Sequence, residues 1–257
     1  MIERHAWAGY LAVAVAAEIV LPFNPMVTAL IDSAVLVVVL SHFGWAQRSP
    51  LAIGEPGIRL LPAVALLPLL RVLSITMPVP ELSPIVWLAL AAGPLLFAVI
   101  STARLTDIDV REIGIGIVPR DVLSGLLVAA SIPVGIVLGW LQPSFVSIDR
   151  ETAVAVALAA ATLVAGSAIA EELVFRGILQ PLMGRAIGPL AIVLTAGVYG
   201  ATYLGSQSLA VAGIMALVGL AYGYVVARTG SLWGPLIGHS ALILAAIFLA
   251  PIVVPAA

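Results

Sequence analysis

Nine consecutive residues, Ala153-Val154-Ala155-Val156-Ala157-Leu158-Ala159-Ala160-Ala161, carry no polar side chain. Apolar runs of this kind recur along the chain and limit its fold more than any other feature. A helix crossing a bilayer needs about 20 apolar residues, within a range of about 17–25. On that measure there are nine candidate spans, at 6–22, 27–45, 60–78, 85–103, 122–141, 154–184, 188–204, 208–227 and 234–252. Turn chemistry separates them at Pro22-Phe23-Asn24-Pro25, Gly54-Glu55-Pro56-Gly57, Pro78-Val79-Pro80 and Arg228-Thr229-Gly230-Ser231. The hairpins at 22–26 and 204–207 are the shortest, and merging a pair of spans there lowers the count to eight. The expected fold is all-α, a polytopic integral-membrane helical bundle.

Composition agrees. Charged residues make up 9% of the 257, and 62% are hydrophobic, whereas soluble domains carry about 25% charged residues. Mean hydropathy is +1.20. There is no cysteine, hence no disulfide framework and no thiol chemistry. All 11 basic residues are arginine, and they form no basic patch that would suggest a nucleic-acid partner. Met1-Ile2-Glu3-Arg4-His5 runs into an apolar segment without a small-residue cleavage site, which reads as a first spanning helix rather than a removed signal peptide.

Arginine placement orients the bundle. With the N-terminus inside, cytoplasmic segments hold Arg4, Arg48, Arg59, Arg104, Arg111, Arg120, Arg185 and Arg228, and outer loops hold only Arg150. Cytoplasmic loops are expected to carry this excess. Nine spans then put the C-terminus outside, in the plasma (cytoplasmic) membrane of a prokaryote. The chain divides into a four-helix region at 1–103, a cytoplasmic amphipathic connector at 104–121, and a core at 122–257 that holds nearly all the candidate chemistry.

That chemistry centres on Ala170-Glu171-Glu172-Leu173-Val174-Phe175-Arg176-Gly177. Each charge inside a membrane costs about 2.5–3.5 kcal/mol on insertion scales, and adjacent carboxylates also repel. On a helix Glu172 and Arg176 share a face and can pair. Glu171 points about 100° away and is free to act as a general base on water. The plainer alternative is a buried ion pair that pins helix packing.

Glu-Glu-x-x-x-Arg on a membrane helix resembles the first motif of the CPBP intramembrane proteases. That family includes the CAAX prenyl endopeptidases and the bacteriocin-immunity proteins also called Abi. The likeness continues through Glu171 to Leu179, then Gly219-Leu220-Ala221-Tyr222-Gly223-Tyr224, Arg228-Thr229-Gly230-Ser231-Leu232-Trp233 and His239. It covers roughly 120–250. The resemblance implies that a first-motif glutamate activates water for peptide hydrolysis, with histidines of a second and third motif and an asparagine completing the site. Glu171, Glu172, Arg176 and His239 match those positions.

Two positions depart from the family. Tyr199 stands for the aromatic of the second motif, but Tyr203 stands where its histidine is expected. Four residues after His239 is Ile243 rather than asparagine. Zinc sites usually take three protein ligands from nitrogen, sulfur or carboxylate. Only Glu171, Glu172 and His239 qualify, and Tyr203 and Ile243 replace the other expected groups, so the ligand set for the zinc that the resemblance allows is incomplete. Tyr203 can still donate one hydrogen bond to water or an oxyanion. Ile243 can donate none, and one missing oxyanion donor typically costs about 10²–10³ in rate. Depth along the helices agrees for two groups only. At about 1.5 Å per residue, Glu172 lies roughly 18 Å from residue 184, Tyr203 roughly 22 Å from residue 188, and His239 about 9 Å from residue 233.

Glu18, Asp32 and Arg71 are the remaining intramembrane charges, read as a structural ion pair between neighbouring helices, with a proton or ion pathway as the sharper alternative. Ala160, Ala161, Gly166, Ser167 and Ala168 read as close-packing positions. Three functions are open. The first is an intramembrane endopeptidase acting on a peptide or membrane-protein tail, with Glu171 as base, Glu172 and Arg176 as supporting pair, and His239 and Tyr203 as polarising groups. The second is a catalytically impaired relative that binds a partner or confers protection. The third is an ion-coupled transporter.

Overall fold

The computed structural model describes residues 5–49, 54–76, 84–116, 121–142 and 153–253. All regular structure among them is helical. In chain order the elements are α1 (Ala6–Val20) and α2 (Pro25–Ala46), α3 (Pro56–Thr76), α4 (Pro84–Leu105), the single turn α5 (Val110–Ile113) and α6 (Val122–Leu141). Then come a long continuous helix α7 (153–187), α8 (Leu190–Ala201), α9 (Leu209–Thr229) and α10 (Trp233–Val253). A helix satisfies its own backbone polar groups, which a segment in hydrocarbon must do.

Helices α2, α3, α6, α9 and α10 are each long and apolar enough to cross a membrane. The other expected spans are shorter apolar helices, as in α1 and α8, or carry the acidic pair, as does α7. Many large apolar side chains face outward, among them Phe97, Val122, Leu209 and Ile252, which suits a protein whose solvent is lipid. The chain is an integral membrane protein. The expected turn at Pro78-Val79-Pro80 and the loop with Arg150 lie outside the described residues.

Local chemistry sets the helix ends. At the first hairpin Asn24 caps α2, its side chain accepting from the Val27 N–H at 3.1 Å, with Pro25 in the first turn. Asp121 caps α6 through the Ser124 N–H at 2.7 Å, and Ser208 caps α9 through the Val211 N–H at 3.3 Å. Such caps satisfy amide groups that a helix start leaves open. Gly230 ends α9 with φ +66°, the left-handed conformation glycine adopts without a Cβ penalty. Both short hairpins are therefore real turns.

The N-terminal helices pack around α3, whose Leu60, Leu61, Ala63 and Val64 are fully buried. In the C-terminal region α6 lies directly on α10. A Cβ on Gly135 would sit 2.2 Å from the Leu242 carbonyl oxygen, and one on Gly139 2.2 Å from that of Ala246. This Gly-x-x-x-Gly crossing lets two backbones approach closely. The connector is more than a tether. Gly114 (φ +83°) accepts the Leu232 N–H at 3.0 Å, and the Ile115 carbonyl accepts the Trp233 indole N–H at 2.8 Å. Glu112 also pairs with Arg185. The connector thereby fixes where α10 starts.

Candidate functional site

Glu171 and Glu172 sit in a three-residue α-helical stretch, Ala170–Glu172, between two π-helical segments, Val164–Ile169 and Leu173–Leu179. Wide turns of this type are rare and occur often at functional sites. The two carboxylates face different surroundings.

Glu172 is completely buried, and its Oε1 accepts from Arg176 Nη1 at 3.2 Å. The same oxygen lies 2.9 Å from His239 Nδ1. The expected i to i+4 pair is present, and His239 joins it. Arg176 is 1% exposed. Its guanidinium carbon lies 4.2 Å from the centroid of Tyr199 and 5.7 Å from those of Phe175 and Tyr222. Ring faces attract the cation, so three aromatics enclose a charge that only one carboxylate answers. Glycines make this possible. A Cβ on Gly219 would lie 3.1 Å from Arg176 Nη2, and one on Gly223 2.7 Å from Gln180 Oε1. The stretch from Gly219 to Gly223 is what lets α9 lie against α7. Gln180 then donates to the Gly223 carbonyl at 2.9 Å.

Glu171 is half-buried. Its Oε1 accepts from Ser167 Oγ at 2.8 Å and its Oε2 from Tyr203 Oη at 2.9 Å. No cation pairs with it among the described residues. Tyr203 Oη is also 3.4 Å from Tyr199 Oη, which is 3.4 Å from His239 Nε2. Tyr199 thus stands between Tyr203 and His239 with one proton for two acceptors. Glu171, Tyr203, Tyr199, His239, Glu172 and Arg176 form one connected polar cluster within the bundle.

Every sequence-predicted site residue therefore reaches the cluster, with two refinements. His239 faces Glu172 rather than Glu171 and is fully buried. Its apparent depth mismatch dissolves because residue 184 is the wrong reference. Gly177 packs against Ile113 and Leu232, so the start of α10 is level with residue 177, about two turns closer to Glu172. Ile243 packs against the apolar core and contributes no donor. Sequence reasoning missed four groups. Ser167 holds Glu171 rather than serving only as a small packing residue, and its i to i+4 spacing was the available signal. Tyr199 was read only as the motif aromatic. Tyr222 and Ser131, bonded at 2.8 Å, had no spacing signal at all.

The cluster does not fit a zinc site. No group of three His, Cys, Asp or Glu side chains among the described residues is placed to hold a metal ion. Glu172 and His239 also face each other and the Arg176 cation, which would repel a second cation.

The other membrane charges form a separate group. Arg71 donates from Nε to Glu18 Oε1 at 2.9 Å and from Nη2 to Oε2 at 2.6 Å, the expected pair between helices. Asp32 is buried, and its Oδ2 has no partner among the described residues. A cavity of about 10 Å³ beside it is lined by Glu18, Asp32 and Thr202 among others.

Residues 153–249 match a family model described as type II CAAX prenyl endopeptidase Rce1-like. The match over this stretch is consistent with the CPBP/CAAX-protease family that the order of motifs resembles. It covers α7 through most of α10 and leaves α1 to α6 outside. No curated protein and no solved structure matches the chain.

Proposed function

We propose that the protein is a membrane-embedded endopeptidase of the CAAX-protease type, in which Glu171 activates water against a peptide bond of a membrane-associated substrate. The unequal treatment of two adjacent carboxylates carries this reading. Glu172 is sealed and committed to Arg176 and His239. Glu171 keeps partial exposure and is aimed by two neutral donors, Ser167 and Tyr203. A base must reach water, and only Glu171 combines access with an uncommitted charge.

In the first step Glu171 takes a proton from water as the water oxygen bonds to the scissile carbonyl carbon, and the carbonyl electron pair moves onto oxygen. Tyr203 supplies the oxyanion donor. Once Glu171 carries the proton, its claim on the Tyr203 hydroxyl weakens and the hydroxyl turns to the new anion. In the second step the proton passes from Glu171 to the leaving nitrogen, the C–N bond breaks with its electrons going to nitrogen, and the carbonyl re-forms. Glu172, Arg176 and His239 position the helix that carries Glu171. A positioned base contributes about 10²–10⁴-fold. With Ile243 in place of a second donor, turnover is slow.

The test uses the purified protein with two fluorogenic peptides, one ending in a farnesylated CAAX tetrapeptide and one unprenylated. The wild type cleaves at least one, and Glu171→Gln lowers the rate by about 10² or more without changing the elution profile. Equal turnover by both proteins overturns the proposal. The membrane orientation proposed with it has the N-terminus cytoplasmic. The cysteine-free chain makes this testable by labelling Gln207→Cys in intact cells with an impermeant maleimide, which reacts there and not at Arg48→Cys.

A further inference from the structure

The family match begins at residue 153, yet one cation from outside it touches the edge of the cluster. Arg71, on α3, donates from Nη2 to the Thr202 carbonyl at 2.7 Å. That carbonyl lies just past the last turn of α8. A helix end leaves its final carbonyls without intrahelical partners and favours a positive charge. The backbone around it closes by other bonds: the Tyr203 N–H goes to Gly200 and the Ser206 N–H to Tyr203. The Arg71 guanidinium is itself held by two hydrogen bonds to Glu18 on α1. The next residue after Thr202 is Tyr203, whose hydroxyl donates to Glu171.

We infer that Arg71, clamped by Glu18, is a positioning residue for the candidate site: it fixes the end of α8 through the Thr202 carbonyl and so sets where the Tyr203 hydroxyl meets Glu171. This rests on the endopeptidase reading. The planar guanidinium matters, because it bonds a carboxylate on two atoms while reaching a carbonyl. The N-terminal helices are then part of the working site. Glu18 and Arg71 reach no other member of the cluster by a hydrogen bond in the structure, so their influence runs through the α8 end.

Two measurements test this. The first is a double-mutant cycle on cleavage of the same farnesylated and unprenylated peptides. A misplacement of about 1 Å can cost about 10²-fold in rate, so Arg71→Met is expected to lower kcat by about tenfold to a hundredfold with KM little changed. Arg71→Lys and Glu18→Gln, which disturb folding less, are expected to fall between it and wild type. In a Tyr203→Phe background the Arg71→Met effect shrinks below about twofold, because contacts acting through one group are not additive. An equal loss in both backgrounds overturns the inference. The second measurement needs no turnover. Leu204→Cys is the only thiol in an otherwise cysteine-free chain, and Arg71→Met is expected to raise its maleimide labelling rate severalfold. An unchanged rate overturns the inference. If the wild type cleaves neither peptide, the endopeptidase proposal falls, and the labelling alone decides whether Arg71 holds this turn.

Discussion

Among the described residues two arginine–glutamate pairs lie within the bundle, and they are built differently. In the N-terminal region Glu18 and Arg71 come from separate helices and meet through two hydrogen bonds, and Arg71 spends a further donor on a helix carbonyl. In the C-terminal region Glu172 and Arg176 share one helix and meet at a single 3.2 Å contact. There Glu172 Oε2 and Arg176 Nε and Nη2 have no hydrogen-bond partner among the described residues. Buried polar groups are normally satisfied, and exceptions cluster where a structure does chemistry or stores strain. The first pair fastens helices together. The second holds charge in place by aromatic enclosure and leaves bonding capacity unused beside Glu171.

The comparison can be broken by measurement. In thermal unfolding in detergent, Arg71→Met should be the most destabilising change, by about 3–5 kcal/mol, because it strands a buried carboxylate. Glu172→Gln should cost less, about 1.5–3 kcal/mol, since an amide oxygen can still accept from Arg176 but the charge is lost. The reverse order would show that the intrahelical pair is the stronger fastening. Gly139→Ala tests packing without charge. Its new methyl group would strike the Ala246 carbonyl, and overpacking of this kind costs about 1–3 kcal/mol. Tyr203→Phe removes the hydrogen bond to Glu171 and the long one to Tyr199, together worth about 1 kcal/mol of stability, while lowering turnover by about 10²–10³. Comparable losses in both readouts would make Tyr203 structural. Smallest is Asp107→Asn. It breaks an exposed pair with Arg59 at 3.5 Å, worth at most about 1 kcal/mol.

Much of this arrangement is legible in the residues alone. Helix placement follows from apolar length, and the first hairpin follows from Pro22-Phe23-Asn24-Pro25, whereas the Ser208 cap of the second emerges only in the structure. Helical spacing gives the Glu172–Arg176 pair, and the opposite charges in early spans give an ion pair with Arg71 but not whether Glu18 or Asp32 forms it. Contacts between distant segments are not legible. No local rule says that Thr202 offers its carbonyl to Arg71, that Tyr199 separates His239 from Tyr203, or that Gly114 sets the height of α10. Those depend on how deep one helix enters beside another, which the apolar pattern leaves free because lipid-facing and core-facing residues are equally apolar. The departures at Tyr203 and Ile243 show the difference. Tyr203 recovers a place by reaching Glu171 with its hydroxyl, whereas Ile243 joins the core.

The wide turns on either side of Ala170–Glu172 bear on how such a site can change over generations. A wide turn holds one residue more than the α-helical turn it replaces. Deleting a single residue within Val164–Ile169 would restore ordinary winding and keep the helix on either side in phase, changing only the spacing inside the turn. A deletion at Ala168 or Ile169 would put Ser167 three residues before Glu171 instead of four and so change the donor that aims it, while Glu172, Arg176 and His239 kept their places. One small deletion could thus separate the holding of charge from its use, leaving a stable membrane bundle with a misaimed base.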